Sequence, residues 1–260
     1  MSKPTQAYTV GGIQRCGQHC INNYILSAYN KGIYKNESSH INLFGKGAPT
    51  GYYPFVEFEK GMQLTTFEGS PLSALLTAKM ADQVDCISFG LENHALCPTW
   101  TRDIIFDFES LGIRPSALHF IQVLRSPLNQ IASACALGIF SGNQGNFWGG
   151  LHILNAWQKH KGENVSGVAA AAPKISYIKY DSFVTSIEYR RNFFDSLPET
   201  TQSFEEVEQL HYKKVQLSSF KAESRNFTER WKEMENNAAF QALISEEVLR
   251  YEEIFQQDDS

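Results

Sequence analysis

The stretch from residue 7 to residue 30, AYTVGGIQRCGQHCINNYILSAYN, constrains the fold of this chain more than any other. A short β-rich run over residues 8–10 leads through two glycines into the loop QRCGQH, and an apolar periodic segment over residues 20–29 follows. A strand, a glycine-bearing loop and a helix in this order present backbone N–H groups and the positive end of a helix to an anion. Arg15 adds a guanidinium that suits phosphate or sulfate oxygens. The stretch predicts an α/β fold with an anion site at its first loop, a pattern that an ordinary first βα turn shares.

Strands and helices alternate along the rest of the chain. The predicted strands are residues 84–91, 117–124 and 174–180, and the predicted helices are residues 71–82, 128–140, 151–160, 187–197 and 228–255. This alternation predicts a three-layer α/β sandwich with a central parallel sheet. Residues 31–67 lose periodicity and contain the glycine- and tyrosine-rich loop of residues 45–55, and residues 198–209 have the composition of a linker. A chain of 260 residues fits one large domain or two small ones, and we predict a single domain over residues 1–260.

Composition narrows the class of protein. The formal net charge is -5, which gives no global electrostatic reason to expect a nucleic-acid partner or an acidic membrane. The five cysteines are odd in number and include no C-x-x-C pair, which is typical of reduced thiols and argues against a disulfide framework or a zinc site. The amino terminus has no apolar signal region, and the apolar runs are shorter than the roughly 20 residues that a membrane span needs. We therefore expect a cytoplasmic protein with no metal and no membrane span.

A second motif follows the predicted strand of residues 117–124. Arg125 comes directly after this strand, Pro127 stands at the start of a predicted helix, and Ser133 lies two turns along it. A guanidinium and a hydroxyl in these positions could reach one phosphate beside the helix. Taken alone, the same residues also describe an ordinary capped helix.

Together the two motifs resemble the sulfotransferase superfamily, enzymes with a P-loop-like α/β fold that use 3′-phosphoadenosine 5′-phosphosulfate (PAPS). The first loop of that family, PKSGTTW in cytosolic members, binds the 5′-phosphosulfate, and QRCGQHC is similar to it. His19 and Cys20 stand where the family has Thr and Trp, so backbone N–H groups would carry more of the phosphate binding. The resemblance implies that this loop contacts the cofactor through Arg15, Cys16, Gly17, Gln18, His19 and Cys20.

The second motif is similar to the 3′-phosphate motif of the same family. That motif is a strand followed by Arg, by Pro two residues later, and by Ser eight residues after the Arg, a spacing that Arg125, Pro127 and Ser133 reproduce. The resemblance implies that Arg125 and Ser133 bind the 3′-phosphate.

Three further segments are similar to family segments and follow in the family's order. SYIKYDSF resembles the strand that ends in YED, which implies that Tyr180 lies near the adenine. LSSFKAE resembles the TSF segment, which implies that Ser219 and Phe220 lie near the adenosine. Arg225, six residues before Trp231, falls where the family has an Arg-Lys-Gly contact to the 3′-phosphate, although the Arg-Lys-Gly itself is not intact here.

The resemblance also implies a place for catalysis. Arg15 is suited to stabilise the bridging oxygen and the charge that develops on it. The family takes its base from the end of the strand after the first loop, a His in cytosolic members and a Glu in several glycan-acting ones. This chain has both Glu92 and His94 there. The glycan-type pattern favours Glu92, whereas the ordinary pKa of histidine suits His94 near neutral pH.

The sequence therefore predicts an enzyme that moves a sulfuryl group from PAPS to a hydroxyl of a carbohydrate or a small polar metabolite and releases 3′-phosphoadenosine 5′-phosphate (PAP). Two alternatives stay open. A P-loop kinase of a small molecule would explain the first loop, but GxxxxGK[ST] is not met, which leaves no lysine for a γ-phosphate and no hydroxyl for Mg²⁺. A nucleotide-binding module without catalysis would be compatible with His19 and Cys20. The sequence names neither the acceptor nor the oligomeric state.

Overall fold

A seven-stranded sheet lies at the centre of the part of the chain that the structure describes. The computed structural model describes residues 5–12, 17–37, 55–60, 62–67, 84–92, 105, 109, 117–136, 175–214 and 229–257. The strands are β1 (Gln6–Gly12), β2 (Lys31–Glu37), β3 (Phe55–Glu59), β4 (Met62–Phe67), β5 (Cys86–Glu92), β6 (Leu118–Leu124) and β7 (Ile175–Lys179). They stand in the order β4-β3-β2-β5-β1-β6-β7. The five strands from β2 to β7 in this order are parallel, and β3 and β4 extend the sheet as an antiparallel hairpin.

Strand β1 takes a central place because it is apolar enough to be covered on both faces. All seven of its residues are buried, and it pairs in parallel with β5 on one side and β6 on the other. The register sets Gly12 beside Glu92, so β1 and β5 end together. The carboxyl ends of parallel strands meet at one edge of a sheet, where α/β proteins bind their ligands. We call this edge the carboxyl edge.

Helices cover both faces of the sheet. They are α1 (Gln18–Ser27), α2 (Pro127–Cys135), α3 (Tyr180–Thr185), α4 (Ile187–Asp195), α5 (Phe204–Lys214), α6 (Arg230–Glu233), α7 (Ala238–Gln241) and α8 (Glu246–Gln257). Val123 belongs to the core that α1, α4 and α5 share, while its neighbour Leu124 belongs to the core under α2 and α8. Because successive strand residues point to opposite faces, these are the two outer layers of a sandwich. Within the described residues, no helix is both long and apolar enough to cross a membrane.

The sequence predicted no strand in residues 31–67, where periodicity is lost, whereas the structure has three strands in the parts of this range that it describes. Strands β2, β3 and β4 lie there, with Lys60 in the left-handed region (φ 44°) at the β3–β4 turn. The segments FVEFE and MQLTTF are rich in aromatic and β-branched residues, which fit a pleated surface. Glycine, proline and tyrosine around them concealed this signal.

The interpretation of residues 198–209 as a linker was also wrong. Helix α5 begins at Phe204, and both Phe204 and Val207 are buried in the core. A capping box starts this helix: the Glu206 N–H donates to Ser203 Oγ (3.3 Å), and the Ser203 N–H donates to Glu206 Oε2 (2.8 Å). The predicted helices of residues 71–82 and 151–160 lie outside the described residues.

Candidate functional site

The amino end of α1 is open to an anion. Its N-cap is Gly17, held at φ 99° in the left-handed region that favours glycine. Among the residues that the structure describes, no side chain caps this end, and the first turn of the helix contains no acidic residue. The first N–H groups of an α-helix have no acceptor within the helix, and the helix dipole favours negative charge beside them. The first loop therefore ends in a turn whose backbone geometry is compatible with an anion.

The buried ring of Tyr180 joins this turn to the second motif. Tyr180 is the first residue of α3 and follows β7 directly. A Cβ built on Gly17 would overlap its ring, coming within 2.7 Å of Tyr180 Cγ. The Arg125 guanidinium lies over the same ring, 5.1 Å from its centroid, an arrangement that favours the cation. The two predicted phosphate-binding segments thus meet at one aromatic side chain.

Cys20, the third residue of α1, also interacts with Tyr180. It is partly buried and packs against the core. Burial raises the pKa of the Cys20 thiol to about 12, and a hydrogen bond with Tyr180 opposes the shift. The Cys20 side chain is therefore a neutral thiol that supports Tyr180.

The amino end of α2 differs from that of α1 because two carboxylates of the protein occupy it. The Ser126 hydroxyl donates to Glu252 (2.7 Å to Oε2), and the Leu128 N–H donates to the same oxygen (3.1 Å). The Ser126 N–H donates to Asp181 Oδ2 (2.9 Å). These carboxylates supply the negative charge that a helix amino end attracts. A ligand phosphate beside α2 therefore has to bind along the helix and not at its tip.

Arg125 stands between these carboxylates and the open turn. It is only 5% exposed, and a buried guanidinium needs compensating charge. Burial raises the pKa of the Asp181 carboxyl above its usual range, while the charge of Arg125 opposes that shift. Asp181 and Arg125 therefore interact electrostatically, and the carboxyl group offsets part of the charge of the guanidinium.

A second buried arginine reaches the same helix at Ser133. Arg230 Nη1 donates to Ser133 Oγ (3.1 Å), and Arg230 is 7% exposed. One turn before Ser133, Asn129 accepts from the Trp231 N–H (3.4 Å) and donates to Asp181 Oδ1 (3.2 Å). Asn129 therefore connects the surroundings of Arg125 with those of Ser133. Two cations and a hydroxyl border one side of α2.

Sequence reasoning missed Arg230. The family pattern places an arginine that contacts the 3′-phosphate several residues before a Trp, and this spacing pointed to Arg225, six residues before Trp231. Arg225 lies outside the described residues. The adjacency of Arg230 to Trp231, at the start of a predicted helix, was the one signal available, and it does not by itself point to a phosphate.

Gln18 is a buried amide in the open turn of α1. It is the first residue of the helix and is 2% exposed. Within the described part of the chain, neither Nε2 nor Oε1 of this side chain has a hydrogen-bond partner. A buried amide without partners is costly, so its presence beside Gly17 favours a polar ligand at this turn.

The next residue, His19, lies on the other side of the turn. Its side chain is exposed, and its Nδ1 is hydrogen bonded to the hydroxyl of Tyr34 on β2 (2.9 Å). Tyr34 is buried, and its backbone pairs with Ser88 of β5. The hydrogen bond to Tyr34 therefore directs the His19 side chain toward β2.

Of the remaining predicted site residues, the structure describes only the backbone of Glu92. Glu92 is the last residue of β5 and stands beside Gly12 in register, but its side chain is outside the description. Five other site residues and the candidate base His94 lie outside the described residues altogether: Arg15, Cys16, Ser219, Phe220 and Arg225. Among the described residues, no group of three or more His, Cys, Asp or Glu side chains could hold a metal ion.

No family model matches the sequence, and no curated protein sequence matches it. Among solved structures, the sulfotransferase domain of the olefin synthase from Synechococcus PCC 7002 aligns over 98% of this chain and 96% of its own, with a TM-score of 0.51 at 15% identity. The chain has the sulfotransferase fold. This confirms the predicted three-layer α/β architecture.

Two further solved structures are similar at lower scores. One is retinol dehydratase in complex with androsterone and PAP, with a TM-score of 0.46 at 11% identity over 99% of this chain and 81% of that one. The other is a sugar kinase from Janibacter sp. HTCC2649, with a TM-score of 0.30 at 16% identity over 82% of this chain and 94% of that one.

Proposed function

We propose that this chain is a PAPS-dependent sulfotransferase that transfers a sulfuryl group to a hydroxyl of a carbohydrate or a small polar metabolite. One observation carries the proposal. In a chain with the sulfotransferase fold, the ring of Tyr180 contacts both Gly17 at the open end of α1 and Arg125 at the end of β6. The two segments to which we assign anion binding thus stand side by side at the carboxyl edge, which suits a ligand with phosphates at both ends of a nucleoside.

The residues present fit such a ligand. Gly17 places no side chain at the tip of α1, and the buried amide of Gln18 has a donor and an acceptor that a polar ligand could pair with. Arg125, Ser133 and Arg230 supply two positive charges and a hydroxyl beside α2. We assign the 5′-phosphosulfate to the α1 turn and the 3′-phosphate to the side of α2. Charge-assisted hydrogen bonds from two guanidinium groups would distinguish PAP from AMP.

When bound, PAPS supplies an activated sulfuryl group: the bond from sulfur to the 5′-phosphate oxygen breaks, its electron pair leaves with PAP, and a bond from sulfur to the acceptor oxygen forms. The α1 turn and Arg15 would hold the oxygens on which charge develops, as in phosphoryl transfer. The acceptor proton passes to a base, and Glu92 is our first assignment because it ends β5 beside Gly12. His94 is the second.

The test compares the thermal stabilisation of the protein by PAP, AMP and ATP-Mg²⁺. A ligand at a hundred times its Kd adds about 2.7 kcal/mol of stability, which is readily measured. We expect PAP to stabilise the protein and AMP to stabilise it much less. Stabilisation by ATP-Mg²⁺ alone would replace the proposal with a kinase, and no response to PAP would overturn it.

Substitution of Arg125 makes the test specific for the 3′-phosphate. Arg125→Ala should abolish most of the stabilisation by PAP and leave that by AMP unchanged. Because this change leaves the Asp181 carboxylate buried without its counter-charge, Arg125→Lys is measured beside it; lysine keeps the charge but cannot bind a phosphate through two parallel hydrogen bonds. The control is Arg250→Ala, which removes an exposed positive charge from α8. If Arg125→Ala and Arg250→Ala respond alike to PAP, Arg125 does not bind the 3′-phosphate.

A further inference from the structure

An exposed imidazole stands at the open turn of α1 in a fixed orientation. His19 is the second residue of the helix, and its Nδ1 is hydrogen bonded to the hydroxyl of Tyr34 (2.9 Å). The two rings meet edge to face, with centroids 6.5 Å apart. Tyr34 is buried within β2. A buried tyrosine thus orients an imidazole that remains accessible to a ligand.

The strand order divides the carboxyl edge into two sides at α1. Strands β6 and β7, which lead into Arg125 and Tyr180, lie on one side of β1. Strands β5 and β2 lie on the other, and α1 packs over β5 between β1 and β2. We call these the nucleotide side and the acceptor side. The hydrogen bond to Tyr34 of β2 directs the His19 side chain toward the acceptor side, where β5 ends at Glu92.

We propose that His19 contacts the sulfuryl group itself, which makes it a further catalytic residue, with Tyr34 as its positioning residue. The inference rests on the proposed function. If the 3′-phosphate binds on the nucleotide side and the 5′-phosphate at the α1 turn, the sulfuryl group extends toward the acceptor side. The imidazole of His19 stands there, immediately beside the turn that holds the phosphate.

The roles of the two ring nitrogens follow from the hydrogen bond. When the Tyr34 hydroxyl donates to Nδ1, the proton of the neutral imidazole is on Nε2. Nε2–H then donates to a sulfuryl oxygen and stabilises its charge. His19 keeps this proton throughout the transfer, because the proton of the acceptor hydroxyl passes to the separate base assigned above. The imidazole thus adds a second side-chain donor, beside the Gln18 amide, to the backbone N–H groups of the helix tip.

The experiment uses the pair PAPS and PAP, which differ by the sulfuryl group. Calorimetric titration of the full chain gives Kd for each ligand without any acceptor. His19→Ala should weaken PAPS roughly tenfold, since hydrogen bonds to charged groups are about this strong, and should leave PAP within about twofold of the wild-type value. His19→Gln restores a donor and should recover part of the loss. Tyr34→Phe removes one hydroxyl and should weaken PAPS by a smaller factor, with no added effect in the His19→Ala background.

Each outcome separates this inference from the proposed function. Equal losses for PAPS and PAP would overturn it, because His19 would then support the phosphate turn and not the sulfuryl group. Unchanged affinities for both ligands would overturn it as well. In either case PAP binding that depends on Arg125 would leave the proposed function standing. A wild-type protein that binds neither PAPS nor PAP would remove the proposed function, and this inference with it.

Discussion

The α-carbon of Gly17 lies directly against the ring of Tyr180, with no room for a side chain between them. Gly17 belongs to the first loop and Tyr180 to the segment after β7, so the contact joins parts of the chain that are far apart in sequence. The guanidinium of Arg125 lies over the same ring. The spacing of the two proposed phosphate sites therefore depends on the absence of one Cβ.

Gly17→Ala should damage both stability and ligand binding. The left-handed backbone alone costs a non-glycine residue about 1–3 kcal/mol, and the new methyl group would also displace the Tyr180 ring. We expect a lower free energy of unfolding in urea and a loss of PAP binding in titration calorimetry. In the control, Gly17→Ala with Tyr180→Ala, the overlap is removed but the backbone strain stays. If Gly17→Ala binds PAP like the wild type, the packing of Gly17 on Tyr180 does not matter for the site.

Much of the central sheet could be predicted because burial on both faces leaves a strong sequence signal. Strand β6 is almost entirely apolar, and its end at Arg125 could be located within a residue. Strands β3 and β4 were missed because the glycine, proline and tyrosine residues around them concealed the strand composition of FVEFE and MQLTTF. Short edge strands of this kind are recognisable only when their partners are known.

The open turn of α1 could be predicted, whereas the long-range contacts of the site could not. Gly17 and Arg125 stand in motifs whose spacing is local. Arg230 meets Ser133, and Glu252 meets Ser126, only because α6 and α8 fold back onto α2. Nothing in the local sequence of either helix encodes that packing.

Two arginines compete for the role of second 3′-phosphate ligand, and substitution distinguishes them. Arg230→Ala should weaken PAP by about tenfold or more, since it removes a charge-assisted donor, and should leave AMP unaffected. Arg225→Ala should change the Kd of PAP by less than about twofold. Titration calorimetry with both ligands provides the measurement. A larger loss in Arg225→Ala than in Arg230→Ala would restore the assignment made from the family spacing.

His119 should make the free energy of unfolding of the protein decrease at acidic pH. It stacks on Tyr8 with ring centroids 4.8 Å apart, and its Nε2 is hydrogen bonded to Gln6 Oε1 (2.9 Å). Burial lowers the pKa of His119 to about 4, whereas an exposed histidine in the unfolded chain has a pKa of about 6.5. Between these values the unfolded state binds more protons, so the free energy of unfolding falls as pH falls from about 6.5 to about 4. Urea unfolding at several pH values should show a shallower fall for His119→Gln, and parallel curves for the two proteins would contradict the assignment.

Glu252 should stabilise α2 from the last helix of the fold. Its carboxylate accepts from the Ser126 hydroxyl and the Leu128 N–H, and α8 is held nearby by Lys179 Nζ, which donates to the Phe255 carbonyl (2.8 Å). Glu252→Ala should lower the free energy of unfolding by about 1–2 kcal/mol through the lost cap. Glu252→Gln keeps an acceptor oxygen but loses the charge beside the helix dipole, so we expect a smaller loss of about 0.5–1 kcal/mol. Glu253→Ala, at the exposed neighbouring position, is the matched control in urea unfolding, and equal losses in Glu252→Ala and Glu253→Ala would show that the cap contributes nothing.

Because Ser126 directly follows Arg125, Glu252→Ala should also weaken the binding of PAP more than that of AMP if the cap keeps that arginine in place.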